Sequence, residues 1–324
     1  MKLMIQIPCF NEEGTLAETL ACLPRKVEGF DTVEWLVIND GSTDRTVAVA
    51  KECGVDHIVD FPVNRGLAKA FVAGINRALE EGADVIVNTD ADNQYNADDI
   101  PLLVAPIIER RAQLVVGSRP IRSIEHFSPI KKVLQRLGSW VVRFTSGASV
   151  VDAPSGFRAI SREASMRLNI FDSYTYTLES IIQAGRSGVS IISVPIRVNG
   201  ETRPSRLVRS IPRYVMRSSL SIIRSMFVYR PGQTFLMLGL IPLAIGLFFS
   251  ARWLLFFFQD STRTHVPSLI FAAVMLIAAL LCWLCALLGE INGINRKLLE
   301  DIQYQMRRER LGDGSTEQAD TYAG

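Results

Sequence analysis

The chain has 324 residues, with 35 Lys and Arg against 33 Asp and Glu, a formal net charge of +2 and a pI near 8.3. That is long enough for one large domain or two ordinary ones, and the near balance of charge excludes the polyelectrolyte surface that nucleic-acid binding needs. The 5 cysteines suggest no disulfide framework, which fits a reducing compartment, and the apolar residues crowd into the region after Gln233.

Leu3 to Ile7 is an apolar strand closed by Pro8, and Asn11 is placed to cap a helix whose first turn carries Glu12 and Glu13. No basic stretch followed by an apolar one precedes it, so no signal peptide is expected. Trp35 to Ile38 is a second strand, and Asn39 to Asp44 is a polar turn into the helix Arg45 to Cys53. Ile58 to Phe61 reads as a third strand, and Asn64-Arg65-Gly66-Leu67 opens the helix Ala68 to Glu80. Strand, polar turn, helix, strand is the grammar of an open, mostly parallel α/β sheet.

Val85 to Asn88 is the next strand, and it ends in Thr-Asp90-Ala-Asp92-Asn-Gln94. Two carboxylates one residue apart at a strand tip can share one hard divalent cation, which keeps positions for water and substrate phosphate. Turn formation and capping ahead of the helix Asp98 to Arg110 is the other use such residues have. Leu114 to Gly117 is a short strand ending in Ser118-Arg119. In an open parallel sheet ligands bind beyond the carboxyl ends of the strands, and Asn11, Glu12, Asp40, Asn64, Arg65, Asp90, Asp92 and Arg119 all fall there. No G-x-G-x-x-G follows the first strand and no G-x-x-x-x-G-K-[ST] occurs, so neither a dinucleotide fold nor a phosphate-loop NTPase is indicated.

Ser128 to Ser146 carries Lys131, Lys132, Arg136 and Arg143 among apolar residues and reads as an amphipathic helix with a basic side. Asp152 to Arg158 is a loop running into a short strand, Tyr176 opens a helix that carries Glu179, and Ser190 to Val198 is a strand candidate followed by a basic loop with Arg203 and Arg206. Arg209, Arg213, Arg217 and Arg224 fall at about 0°, 40°, 80° and 60° on a helical wheel, one face of a helix suited to anionic headgroups. Gln233 to Phe258 and Pro267 to Gly289 are each long enough to span a bilayer, and together predict a transmembrane hairpin. Arg224 and Arg230 precede it, and Arg296, Lys297, Arg307, Arg308 and Arg310 follow it, so both termini are expected on the cytoplasmic side. Cys282 and Cys285 lie within the second span and are read as packing residues, and Gly312 to Gly324 is polar and expected to be irregular.

Six motifs in this order, Ile7 to Glu13 (IPCFNEE), Val37 to Asp44 (VINDGSTD), Asn64 to Ala70 (NRGLAKA), Asp90 to Gln94 (DADNQ), Val115 to Arg119 (VVGSR) and Ser155 to Arg158 (SGFR), resemble the family 2 glycosyltransferases of the GT-A fold, polyprenyl-phosphate branch. The resemblance covers roughly Met1 to Arg206. It implies a GT-A nucleotide-sugar-binding domain over 1–207, a juxtamembrane amphipathic helix over 208–231, membrane helices over 233–258 and 267–290, and a cytoplasmic tail over 291–324.

By the same resemblance Pro8, Phe10, Glu12, Asp40, Asp90, Ala91, Asp92 and Arg119 contact a UDP- or GDP-sugar. Asp90, Asp92 and Gln94 hold Mg²⁺ or Mn²⁺, Asp92 and Arg119 are catalytic, and Arg136, Arg203 and Arg206 meet the acceptor phosphate. The implied partners are the nucleotide sugar, polyprenyl phosphate and the lipid bilayer of the inner membrane, with no nucleic acid and with room for a homo-oligomer. The family shows Asp where this chain has Asn39, and a lysine pattern where it has Arg203-Pro-Ser205-Arg206. An acceptor phosphate is already anionic, so the expected reaction is a metal-dependent, inverting displacement without a strong base. Asp152 and Glu179 are the carboxylates nearest to such a role. Transfer to another membrane lipid, or nucleotide-sugar binding without catalysis, are the rival expectations.

Overall fold

The computed structural model describes residues 1–120, 150–170, 176–199, 223–224, 226–227, 230–258 and 266–321, the last ten of these by backbone alone. Within them the chain forms two compact units, one of Met1–Ser219 with Asp301–Gly324 and one of Leu220–Glu300.

The first unit is built on a 7-stranded sheet in the order β3-β2-β1-β4-β6-β5-β7. In chain order the elements are β1 (Lys2–Cys9), α1 (Leu16–Cys22), β2 (Thr32–Asn39), α2 (Thr46–Glu52), β3 (His57–Asp60), α3 (Leu67–Glu80), β4 (Val85–Asn88), a 3₁₀ turn (Ala97–Asp99), α4 (Ile100–Ile108), β5 (Leu114–Ser118), β6 (Arg158–Ser161), α5 (Arg162–Arg167), α6 (Tyr176–Arg186) and β7 (Ile191–Pro195). All neighbouring strands are parallel except where β6 runs antiparallel to β4 and β5. β1 is an interior strand, third of the seven and next to the central β4, and Leu3, Met4, Ile5 and Ile7 on both of its faces are buried, which is why it reads as a continuous apolar run. The chain moves from β1 to β2 on one side and later returns to β4 on the other, so the switch point of the sheet lies at the carboxyl ends of β1 and β4.

Asn11 does not cap a helix. It sits at φ +55°, its amide donates to Ser42 Oγ at 2.9 Å, and its Oδ1 accepts from the Thr43 amide at 2.8 Å. These bonds to the turn after β2 override the local capping preference, and α1 begins only at Leu16, with the Leu16 amide on Glu12 O. Helix α5 was not anticipated from the sequence. It is a short turn capped by Ser161, whose side chain accepts from the Ala164 amide. The strand expected over Ser190 to Val198 leaves the ladder at Pro195. The basic helix of Ser128 to Ser146, the arginine-rich stretch before Arg224 and the connection at 259–265 lie outside the described residues.

The second unit holds α7 (Pro231–Phe258) and the first part of α8 (Val266–Thr321). Both are long and apolar enough to cross a membrane, and only 11% and 17% of their most apolar windows is buried, which separates them from core helices. The buried residues of α7 are Gly232, Gly239 and Gly246, and those of α8 are Ala272, Ala279 and Ala286, each set spaced by seven. A Cβ on Gly239 would stand 2.8 Å from Trp283 Nε1, and one on Gly246 would stand 2.9 Å from Leu276 Cδ2. Small residues let the two backbones approach closely where lipid provides no hydrophobic drive. Of the two cysteines on α8, Cys282 is partly buried and faces Gly239 in the seam, whereas Cys285 is exposed and does not pack there.

Helix α8 does not stop where the apolar run ends. Glu, Gln, Lys, Arg and Leu are good helix formers and carry it to Thr321, through the stretch from Gly312 that composition marks as irregular. The part from Asp301 belongs to the first unit. There Arg307 Nη1 donates to Met166 O at 3.1 Å and Leu168 O at 2.9 Å, and Arg167 lies 4.4 Å over the Tyr304 ring. Arg307 thus caps the carbonyl end of α5 with a cation, a favourable partner for a helix C-terminus.

Candidate active site

The polar residues gather at the carboxyl ends of β1, β2, β4 and β5. After β1, Pro8 is buried in the ladder opposite Ile38 and Phe10 is 41% exposed. Glu12 is buried and accepts from Thr15 Oγ1 at 2.9 Å. After β2, Asp40 is buried and takes the Arg65 and Gly66 amides on its two oxygens at 2.7 and 2.9 Å, so it shapes the loop ahead of α3. Its own amide donates to Cys9 O at 2.8 Å, which keeps it beside the Phe10 loop. Asn39 bridges to the next strand by donating to Asp60 Oδ1 at 2.6 Å.

After β4 comes the acidic turn. Asp90 and Asp92 are partly enclosed, and Ala91 is buried with its carbonyl accepting from Thr19 Oγ1 at 2.9 Å. Asp92 Oδ1 accepts the Gln94 amide at 3.2 Å. Burial, and then the charge of Asp92, push the Asp90 carboxyl up to about 7, against the pull of Arg119 and Arg158 and with a further push from Glu12. The same interaction brings Glu12, Asp92 and Arg119 into one electrostatic neighbourhood with Asp90.

After β5, Arg119 is gripped by Asp152. Nε donates to Oδ2 at 2.7 Å and Nη2 to Oδ1 at 3.1 Å, and the carboxylate is fully buried. Burial opposes the guanidinium charge, but the Asp152 pairing more than offsets it and raises its pKa above the ordinary arginine range. Asp152 therefore serves Arg119, and a carboxylate so occupied is poorly placed to act as a base. Glu179 is buried in the first turn of α6. Arg136, Arg203 and Arg206 lie outside the described residues.

Sequence reasoning assigned no individual role to the residues that close the floor of this site. The Gly156 amide donates to Tyr95 Oη at 3.0 Å, and Gly156 O accepts from Asn88 Nδ2 at 2.8 Å. A Cβ on Gly156 would lie 3.1 and 3.2 Å from the Asp90 carboxylate oxygens and 3.2 Å from Tyr176 Oη. Burial, then Asp90, raises the Tyr95 hydroxyl to about 12 and pushes Tyr176 up as well. Arg158 is fully buried beneath them, donating to Ser155 O, Ala153 O and Ser180 Oγ. The SGFR motif was the only sequence signal for this layer.

Among the described residues no group of three or more His, Cys, Asp or Glu could hold a metal ion unaided. The acidic turn offers two carboxylates and the Gln94 side-chain amide, all oxygen donors. A hard divalent cation fits that set when substrate oxygens complete its shell, and a like-charge pair with a raised carboxyl is what such a cation would relieve.

Comparison with known proteins gives the family and the fold. The profile of a family described as glycosyl transferase family 2 matches residues 4–169. The undecaprenyl-phosphate mannosyltransferase of Micrococcus luteus is 30% identical over 220 residues, 63% of this chain and 88% of that protein. A UDP-N-acetylglucosamine–dolichyl-phosphate N-acetylglucosaminyltransferase of Methanococcus voltae is 30% identical over 213 residues, 59% of this chain and 83% of that protein. Among solved structures, glucosyl-3-phosphoglycerate synthase of Mycobacterium tuberculosis, in complex with Mn²⁺, UDP-glucose and phosphoglyceric acid, matches with a TM-score of 0.54 and 24% identity over 68% of this chain and 79% of that one. That likeness establishes the GT-A-like fold.

Proposed function

The chain belongs to glycosyl transferase family 2, and from that premise we propose that it moves a sugar from a nucleoside-diphosphate sugar to the phosphate of a polyprenyl lipid. The observation that carries the reading is the acidic pair Asp90 and Asp92, set beside the Asp152-held Arg119, in a chain that continues into two helices of membrane length. The relatives named for undecaprenyl and dolichyl phosphate support the acceptor class.

In this reading Phe10, Glu12 and the Asp40 loop receive the nucleoside, with Pro8 and Ala91 shaping the backbone around it. Asp90, Asp92 and Gln94 would hold Mg²⁺ or Mn²⁺. The cation, when bound, supplies Lewis-acid stabilisation of the charge that grows on the leaving nucleoside diphosphate. Arg119, pre-oriented by Asp152, adds a fixed donor fork to the same charge at no cost of reorganisation. Tyr95, Tyr176 and Phe157 keep the floor of the site closed to water, which strengthens each of these interactions.

The acceptor is a phosphate monoester, anionic near neutral pH, so it attacks the anomeric carbon directly. Its lone pair forms the new C–O bond as the bond to the diphosphate breaks, and one such displacement inverts the anomeric centre. Arg136, Arg203 and Arg206 are the proposed acceptor-phosphate residues. The basic residues on both flanks of the two apolar helices support a reading with the catalytic domain and both termini on the cytoplasmic side of the membrane.

The test is transfer itself. The full-length protein in detergent or nanodiscs, given Mn²⁺ or Mg²⁺, a panel of labelled UDP- and GDP-sugars and undecaprenyl or dolichyl phosphate, is expected to form a lipid-linked monosaccharide with at least one donor. Label appearing only on another lipid would replace the acceptor, and no transfer from any donor would overturn the reading.

A further inference from the structure

The turn that carries Asp90, Asp92 and Gln94 is held from outside by a stretch that belongs to none of the motifs. Beyond β7 the chain runs through Ile196 to Asn199 along the residues that follow the acidic pair. The Ile196 amide donates to Ser118 O at 3.0 Å, Tyr95 and Val198 form an antiparallel bridge, and the Asn199 amide donates to Gln94 O at 2.9 Å. Residues 94–96 and 197–199 thus form a small antiparallel ribbon.

Side chains lock its two ends. At one end Arg197 donates from Nε and Nη2 to Asp99 Oδ1 at 2.9 and 2.7 Å, with its amide on Oδ2 at 2.6 Å. At the other end Asn199 Nδ2 donates to Asn93 O at 2.9 Å. Asn93 is the residue between Asp92 and Gln94, and it sits at φ +55°. Outside glycine that left-handed conformation is uncommon, asparagine being among the residues that tolerate it best, and here hydrogen bonds from outside the turn hold it. Asn93 is fixed twice, through its carbonyl by Asn199 and through its side-chain amide, which donates to Glu18 Oε1 at 3.2 Å.

We infer that Asn199 is a positioning residue for the cation. By holding Asn93 in the left-handed region it sets the direction in which the chain leaves Asp92, and with it the spacing of the Asp92 and Gln94 oxygens. The inference rests on the proposed function in one respect, that this turn binds a divalent cation. Groups that orient metal ligands without touching the metal commonly change affinity by about 10- to 100-fold when removed.

The experiment is a Mn²⁺ titration of the full-length protein in detergent with UDP present, read as free Mn²⁺ by electron paramagnetic resonance, with thermal unfolding alongside. Asn199→Leu is expected to weaken Mn²⁺ binding about 10-fold while leaving a cooperative melt. Glycine adopts the left-handed conformation freely, so the double variant Asn93→Gly/Asn199→Leu should recover affinity to within about 3-fold of the parent, which a merely structural role for Asn199 would not produce. If Asn199→Leu does not fold, Asn199→Asp keeps the shape, removes the donor and is read in the same way. Parent-like affinity in the single variant, or no recovery in the double variant, overturns the inference and leaves the metal assignment intact. A parent protein that binds no Mn²⁺ with UDP overturns the metal assignment itself, and the inference with it.

Discussion

Asp152 holds Arg119 by both carboxylate oxygens, from a position 33 residues further along the chain and with no exposure of its own. The pairing turns a long, flexible cation into a fixed one at the mouth of the site. Removing one partner of a buried pair strands the other, which costs about 3–5 kcal/mol. Asp152→Asn should therefore both lower the melting temperature and cut kcat by about 10-fold or more, because the fork proposed to meet the leaving diphosphate loses its orientation. Arg119→Lys should keep the charge and still lose most of kcat, since an ammonium cannot span two oxygens. Steady-state rates and thermal melts of the two variants check this, and a parent-like kcat for Asp152→Asn would remove Arg119 from the chemistry.

Gly156→Ala introduces a Cβ at 3.1 and 3.2 Å from the Asp90 oxygens. Overpacking of this kind costs about 1–3 kcal/mol, and here the group that must yield is the carboxylate itself. The expected result is a protein that still folds, with Mn²⁺ affinity reduced at least about 10-fold. Unchanged affinity in a metal titration would mean that Asp90 does not ligate.

The raised carboxyl of Asp90 gives a pH dependence with a definite sign. Its pKa is about 7 in the fold against 3.8 ordinarily, so between those values the folded state keeps a proton that the unfolded chain releases. Stability of the metal-free protein should then fall as pH rises from about 4 to about 7 and stay low above that. Metal competes with the same proton, so metal affinity should fall as the pH drops below about 7. Melts in EDTA between about pH 5 and pH 8 check the first statement, and Asp90→Asn should flatten the slope. An identical slope in parent and variant would assign the dependence to other groups.

Gly239 lies in the seam between α7 and α8, where a Cβ would stand 2.8 Å from Trp283 Nε1. Gly239→Leu should force the two helices apart and lower the detergent-solubilised melting transition, by about 1–3 kcal/mol of overpacking or more. Gly239→Ala should do so less. Equal melting of all three proteins would show that the glycine and alanine repeats do not form the contact.

The strands were legible because buried parallel strands are continuous apolar runs, and Val85–Asn88 occupies the span its four residues suggest. The acidic turn was legible from position, since every polar cluster fell at a strand's carboxyl end. What stayed hidden depends on partners distant in sequence. Asn11 looks like a cap until Ser42 and Thr43 are placed beside it. Asp152 looks like a loop carboxylate until Arg119 is opposite, and Gly156 like a turn glycine until Asp90 stands over it. Asn199 shows its role only through the bridge between Tyr95 and Val198. The glycines at 232, 239 and 246 and the alanines at 272, 279 and 286 were readable as repeats of seven, but apolarity alone drew attention to those helices.

Sugar transfer to polyprenyl phosphate is proposed to run on a divalent cation held by Asp90 and Asp92. The most direct measurement compares parent and Asp92→Asn proteins in the lipid-transfer assay, each with Mn²⁺ and with EDTA. Lipid-linked sugar is expected from the parent only when metal is present, with a rate at least about 100-fold lower from Asp92→Asn with metal. Transfer that persists in EDTA, or an Asp92→Asn protein as active as its parent, would contradict it.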